Sequence, residues 1–550
     1  GISAPGGTVT ITAAVGDITA GSISAAGGTV DLSATAGSID GDGLTNPNIT
    51  ATTADLSAGT ALGAVEPILT SLANLILDTG TGDAFVIEAD NLAVSGVSSV
   101  AGNLTLELTT GSLTQSAALS VGGDYTLNLN AGGFVQNAAL DVTGAFTLLA
   151  GGAVTQSAAI IVGTTTEITA GANTVTLNNA GNNFTGEVRI VSAGALTLVD
   201  TDDFAFGNAG ASSMGSLILQ AGGDITQTQA VAITGTTSIT AGANSITLNN
   251  ISNNFGGEVR IVSGNNVNLR DTNTFAFGNA GVSAIARALA LQTSGAITQT
   301  QAVTVGGTST ITAGTAAITL TNTANDFTGA VSLSNSGANN ISIRDSNSLQ
   351  IGTTTVGTGT FILNAASGID IAGDVTLGGA ANLSADTNTD AVGSFSIADG
   401  ITFNLGNSNI AITITASDIN LNSTGVLQSN GGAITLQPST AGRTIGIEDA
   451  AGDFALSAAE LNRVITAGNL TIGQTTGTGA LNIGSLGPVD LTTPNFNLIL
   501  RGGSRSVTFN FQAGNTLTLG ANKTFTFTIG AAGDITSSTT GGVTDITIGG

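Results

Sequence analysis

The sequence predicts an all-β chain folded as a right-handed parallel β-helix, a solenoid with about 20–24 residues per coil. Three observations carry this. Short strand-like phrases recur every 19 to 21 residues between Gly111 and Ala170, and the same phrase type returns at Gly222 and Ser294. A longer text is written nearly three times, with ITAGANTVTLNNAGNNFTGEVRIVS at Ile168, ITAGANSITLNNISNNFGGEVRIVS at Ile239 and ITAGTAAITLTNTANDFTGAVSLS at Ile311, spaced by 71 and 72 residues. Finally, β-branched and small residues alternate within each run, as Val175 and Leu177 do against Thr174 and Thr176, which puts one set inside and the other outside a pleated strand. Composition agrees. The chain has 79 Gly, only 6 Pro and 8% charged residues, with 41% hydrophobic residues spread at regular intervals, so neither collagen nor a disordered chain fits.

Taken in order, residues 1–110 read as less regular coils: TVTITAAVGDITAGSISA is strand text, whereas PILTSLANLIL from Pro67 is expected to include a helical turn. Residues 111–370 form the repeat region. Its short phrase is two small residues, a strand ending in Gln, an apolar strand, a Gly turn and an alternating Thr-rich strand. Three such coils make one 71-residue unit: a Thr-Gln coil, a coil carrying TLNNxxNNFxGEV, and a longer coil with DTDDFAFGNAG at Asp200 that recurs as DTNTFAFGNAG at Asp271. Residues 371–550 continue as further coils, interrupted by a minor helical insertion near 457–464, where Ser457 and Glu460 have capping-box spacing. With no linker composition anywhere, 1–550 is read as a single continuous β-helix.

These phrases resemble the filamentous haemagglutinin-like bacterial exoproteins, the adhesin family exported by two-partner secretion. The resemblance rests on the G-x-I-T-Q and L-x-A-G-G-x-I beats, on TLNNxxNNFxGEV, and on LSAAELNRVITAGNLTIG from Leu456. It covers essentially the whole chain and implies a shaft segment on the bacterial cell surface. The family's N-terminal secretion domain is not recognisable; Thr45-Asn46-Pro47-Asn48-Ile49 echoes one of its turns and stands alone.

Chemistry has little to work with. There is no His and no Cys, so imidazole bases, thiolate nucleophiles and His/Cys zinc sites are absent. Ten cations face 36 carboxylates, and no cation precedes Arg189, a balance that repels phosphate backbones and argues against nucleic acid. No uninterrupted apolar stretch reaches the roughly 18 residues of a membrane span. The densest acidic group, Asp200, Asp202 and Asp203, becomes Asp271, Asn273 and Thr274 in its own repeat copy, which is how a structural loop varies and not how a glycosidase pair does. Asp40-Gly41-Asp42-Gly43 lacks the remaining ligands of a calcium loop, and Gly122–Asp124 and Gly222–Asp224 read as turns. No catalytic, cofactor-binding or metal residue is therefore expected.

The residues singled out are structural repeat positions. Asn182 with Asn183, and Asn253 with Asn254, are expected in left-handed turns and in side-chain ladders between coils. Phe184, Phe255 and Phe327, and Phe206 and Phe277, recur at repeat spacing and are expected to stack internally. Glu187 with Arg189, and Glu258 with Arg260, lie two apart on one strand face and are expected to pair there. Ranks of Thr raise an ice-binding alternative, but the Thr-x-Thr columns do not hold a constant place in every coil.

The expected function is that of a non-enzymatic extracellular structural protein, the rigid shaft of a bacterial surface adhesin or of a cell-surface fibre. The alternative is a carbohydrate-active β-helix that binds or cleaves polysaccharide. Expected partners are a second copy stacked end to end or the continuation of a longer chain, and a host or neighbouring-cell surface or polysaccharide; nucleic acid and a membrane span are not expected.

Overall fold

A computed structural model describes residues 1–406, 409–511, 515–529, 535–537 and 545–547. The chain is a β-solenoid of stacked parallel strands and divides into two compact units, Gly1–Asp271 and Thr272–Gly550.

One coil of the first unit shows how sequence becomes architecture. Leu104–Leu108, Leu113–Gln115 and Leu119–Val121 are short strands separated by turns. Leu104, Leu106, Leu108, Leu113, Leu119 and Val121 point inward and are buried, while Thr105, Glu107 and Ser120 between them face out. The next coil lies parallel and 21 residues on along all three faces: Leu104 against Tyr125, Leu113 against Phe134, Leu119 against Leu140. Every strand thus finds hydrogen-bond partners one coil away, and like side chains stack in columns. Each fully buried Leu, Ile or Val contributes roughly 1.5–3 kcal/mol, and contacts reach only neighbouring coils, so stability is a sum of local terms.

Turns are held by two devices. Side-chain oxygens accept from the backbone amide of the next coil: Asp83 Oδ1 from Asn103 at 2.7 Å, Asn103 Oδ1 from Asp124 and Asp124 Oδ1 from Ala145 at 2.8 Å each. The Asp of Gly122–Asp124 therefore belongs to a turn ladder. The second device is close backbone approach. A Cβ on Gly132 would lie 1.6 Å from the Gly111 carbonyl oxygen, so only glycine fits there.

The second unit repeats the same logic, with Ile341 against Phe361 and Leu349 against Ile369, 20 residues apart. Later coils are longer than 20–24 residues because they carry insertions: Ala381 pairs with Ile412, and Leu427 pairs with Val464. The second of these insertions includes the helix Ala458–Leu461. Its N-cap Ser457 accepts from the Glu460 amide at 3.1 Å, and the Glu460 carboxylate accepts from the Ser457 amide at 2.9 Å, completing the capping box.

The expected helical turn after Pro67 is not there. Ile68–Thr79 is one strand, with Ile68, Thr70, Leu72, Leu75, Leu77 and Thr79 buried. It pairs with Ile49–Ala58 in parallel register, Ile49 against Thr70 and Ala54 against Leu75. The alternation LTSL and LILDT has a period of two with one phase change at Ala73-Asn74, and a ladder of hydrogen bonds outweighs the helix propensity of Leu and Ala. Among the described residues no helix is long and apolar enough to cross a membrane.

Candidate functional site

The repeat positions meet inside the solenoid. Asn182 is fully buried and sits just before the short strand Asn183–Phe184. Its Oδ1 accepts from Gln156 Nε2 at 2.7 Å and from the Ile160 amide at 3.0 Å. Its Nδ2 donates to Gln156 Oε1 at 2.8 Å and to the Leu177 carbonyl at 3.1 Å. The two amides form a reciprocal clasp between adjacent coils. Gln227 and Asn253 repeat it with 2.8 Å in both directions, as do Gln299 and Asn325 in the second unit. In each clasp the Asn also takes one backbone amide, of Val231 and of Val303, at 2.9 Å. Gln115 and Gln136, which face no Asn, leave Oε1 buried and unpaired. The Gln of the Thr-Gln phrase is thus the partner of the Asn one coil later, 26 residues on.

The expectation of left-handed turns at these Asn pairs is corrected. Left-handed non-glycine backbone occurs instead at Asn208 (φ 64°) and Ala209 (φ 59°), and at Asn279 and Ala280 (φ 62° and 58°), the GNAG turns that follow each FAF strand. Asn182 and Asn253 serve the interior, where an amide can satisfy both a donor and an acceptor. Asn183 lies at the surface and donates to Asp202 Oδ2 at 3.1 Å, and Asn254 is exposed at the head of strand Asn254–Phe255.

Phe184, Phe255, Phe327, Phe206 and Phe277 are all buried. Phe204 and Phe206 meet edge to face with centroids 4.8 Å apart, and Phe275 and Phe277 do so at 4.9 Å. Leu349 and Ile351 take the same inward places in the third copy. The single tyrosine, Tyr125, stacks on Phe146 at 5.3 Å, and burial pushes its phenol well above the ordinary range.

The acidic group at Asp200 separates into three roles. Asp200 is 2% exposed, accepts from the Phe184 amide at 3.4 Å, and is pushed up to about 7 by burial, with the amide bond pulling the other way. Asp202 caps Asn183, and Asp203 Oδ1 accepts from the Asp224 amide at 2.8 Å. Asp271 and Asp345 stand at the same place in the later copies, accepting from the Phe255 and Phe327 amides at 3.4 and 2.8 Å. Burial raises Asp345 as well, and it raises Glu88, whose carboxylate takes Thr70 Oγ1 at 2.7 Å and the Leu72 amide at 3.1 Å. Buried acids are part of the coil plan.

Outside, the expected Glu187–Arg189 pair is replaced. Arg189 binds Glu167 at 3.0 Å across the coil interface, and Glu187 accepts from the Asn208 amide and from Thr228 Oγ1 at 2.7 Å. A neighbouring strand is ~4.8 Å away, whereas residues two apart on one strand are separated by ~6.7 Å. The second unit carries an open groove of about 310 Å³ over three stacked strands. Ser348, Gly368 and Ser394 align in one outward row, and Gln350, Asp370 and Ser396 in the next. Asp370 accepts from Gln350 Nε2 at 3.1 Å and from Ser396 Oγ at 2.7 Å, so the row is a continuous band of amide, carboxylate and hydroxyl.

A stack of near-identical coils whose polar repeat residues serve one another is the mark of a repeat family. A family model described as "Repeats of unknown function (DUF5649)" matches residues 81–136, 131–191, 193–262, 264–334 and 338–392, more than half of the chain. The chain belongs to this family. DUF5649 matches cover all three Gln–Asn clasps, the FAF strands and the buried acids at Glu88, Asp200, Asp271 and Asp345. Neither a curated protein nor a solved structure matches the chain.

Proposed function

We propose that this DUF5649 chain is a non-enzymatic extracellular structural protein, the shaft of a bacterial surface adhesin or of a cell-surface fibre. The observation that carries the reading is where the repeat's polar residues go. The Gln–Asn clasps and the Asp–Phe amide contacts lie inside the solenoid, the turn ladders tie each coil to the next at its surface, and outward positions vary between copies. Glycines and inward aliphatics persist while Asp200-Thr201-Asp202 becomes Asp271-Thr272-Asn273. That is how a spacer varies, and it supports length as the property under use.

The test is to delete one whole unit, residues 168–238. A spacer loses three coils, ~4.8 Å each, so the maximum dimension measured by small-angle scattering falls by about 15 Å while the fold and melting behaviour are kept. Collapse of the remaining coils would sink the reading. A second reading, polysaccharide binding, is supported by the groove over Ser348, Asp370 and Ser396. Affinity electrophoresis in neutral and acidic glycans tests it, with Asp370→Ala expected to abolish any retardation.

A further inference from the structure

The loop between the strands Ala381–Ser384 and Ser394–Ile397 in the second unit reads Ala385-Asp386-Thr387-Asn388-Thr389-Asp390-Ala391-Val392-Gly393. Its oxygen-bearing residues Asp386, Asn388 and Asp390 stand at alternate positions. Asp386 Oδ2 accepts from the Ala391 amide at 3.2 Å, so this carboxyl reaches across the loop to the fifth residue beyond it. Asn388 Nδ2 lies 2.8 Å from Asp390 Oδ2. The chain is curled by two left-handed residues, Thr389 at φ 56° and Ala391 at φ 70°, the fourth and sixth positions counted from Asp386. That conformation is costly for a non-glycine residue, and two of them in one nine-residue loop need a reason.

An independent observation points to a ligand. Asp386 is 2% exposed, and its other oxygen, Oδ1, is buried with no hydrogen-bond partner. An unpaired carboxylate oxygen beneath a loop that also presents a second carboxylate and an amide oxygen is half of a cation site. All candidate donors are hard oxygens. Asp, Asn and Asp at the first, third and fifth places, a left-handed sixth residue and a main-chain carbonyl at the seventh are the arrangement by which a 12-residue loop wraps Ca²⁺. Mg²⁺ demands a stricter octahedron and suits such a loop less well.

We propose that residues 386–392 form a calcium site, with Asp386, Asn388 and Asp390 as side-chain ligands and the Val392 carbonyl as a main-chain ligand. Two departures set its strength. The twelfth position is Ile397, so the bidentate carboxylate of a high-affinity loop is missing, and Ala391 stands where glycine is usual. Water and the Ser439 hydroxyl, which donates to Asp386 Oδ2, are left to complete the shell. Arg443 Nη1 donates to the Ala391 carbonyl at 3.3 Å and ties the outer side of the loop to the later coil. No three Asp or Glu gather as a metal group among the described residues, since this site is built from two carboxylates and an amide.

The experiment is calorimetric titration of the full chain with CaCl2 at physiological salt and excess Mg²⁺, which suppresses diffuse binding to the acidic surface. One saturable site with Kd on the order of 10⁻⁴–10⁻³ M is expected. Asp390→Asn and Asn388→Ala, both at exposed side chains and so without risk to the fold, should each weaken it by about tenfold or more. Asp40→Asn should leave it unchanged. Absence of a saturable site, or a site indifferent to both loop variants, overturns the assignment.

Discussion

Removing one half of a Gln–Asn clasp should open the solenoid locally and measurably. In Asn182→Ala the Ile160 amide loses its acceptor and the Leu177 carbonyl loses the Nδ2 donor, while Gln156 keeps its bonds to the Ala158 carbonyl and the Asn179 amide. Two buried backbone groups are left without that partner, at ~1–3 kcal/mol each, so the local cost is about 2–6 kcal/mol. Global unfolding is a poor reporter in a chain whose coils are stabilised by their neighbours alone. Hydrogen exchange of the Ile160 amide reads the effect directly: 1.4 kcal/mol is a factor of ten, so protection should fall by roughly 30-fold or more, and little should change at the equivalent Val231 amide. Gln136→Leu provides the contrast. Gln136 Oε1 is already unpaired, so removing it relieves one buried orphan while costing the donations from Nε2, and the net effect should be well below that of Asn182→Ala. Equal protection at Ile160 in wild type and Asn182→Ala would refute the clasp as a source of stability.

Two further outcomes follow from the geometry. Asp200 is raised from 3.8 to about 7 in the folded chain, so its neutral form is the one the fold prefers; its contribution is full below pH 3.8 and is lost as pH rises through 7. Local protection at Phe184, corrected for intrinsic exchange, should therefore drop by the equivalent of at most about 3 kcal/mol between pH 5 and pH 8, and Asp200→Asn should flatten this dependence. A steep slope retained in the variant would remove Asp200 as its source. Gly132→Ala, whose Cβ would overlap the Gly111 carbonyl, should cost ~2–4 kcal/mol in local denaturant resistance, whereas Gly171→Ala, left-handed at φ 58° but facing open space, should cost only about 1 kcal/mol. Equal costs would show that close approach is not what selects Gly132.

Much of this molecule was legible because its determinants are local. Alternation of aliphatic and Thr residues sets which side chains face in, Gly marks the turns, and Ser457 and Glu460 start and cap a four-residue helix. Repeat spacing then gives the coil length, since each coil must return the chain to the same column. Stacking decided the rest, because it joins residues about 20 or more apart in sequence that lie ~4.8 Å apart in space. It gave Arg189 to Glu167 in place of Glu187, and it turned Gln156 and Asn182 from turn and strand residues into one buried amide pair. The strand over Ile68–Thr79 was won by hydrogen bonds to a neighbouring coil that no window of its own sequence contains. The carboxyls of Asp200 and Asp386 are written as ordinary loop acids, and only packing reveals that one is driven toward neutrality and the other has an oxygen without a partner.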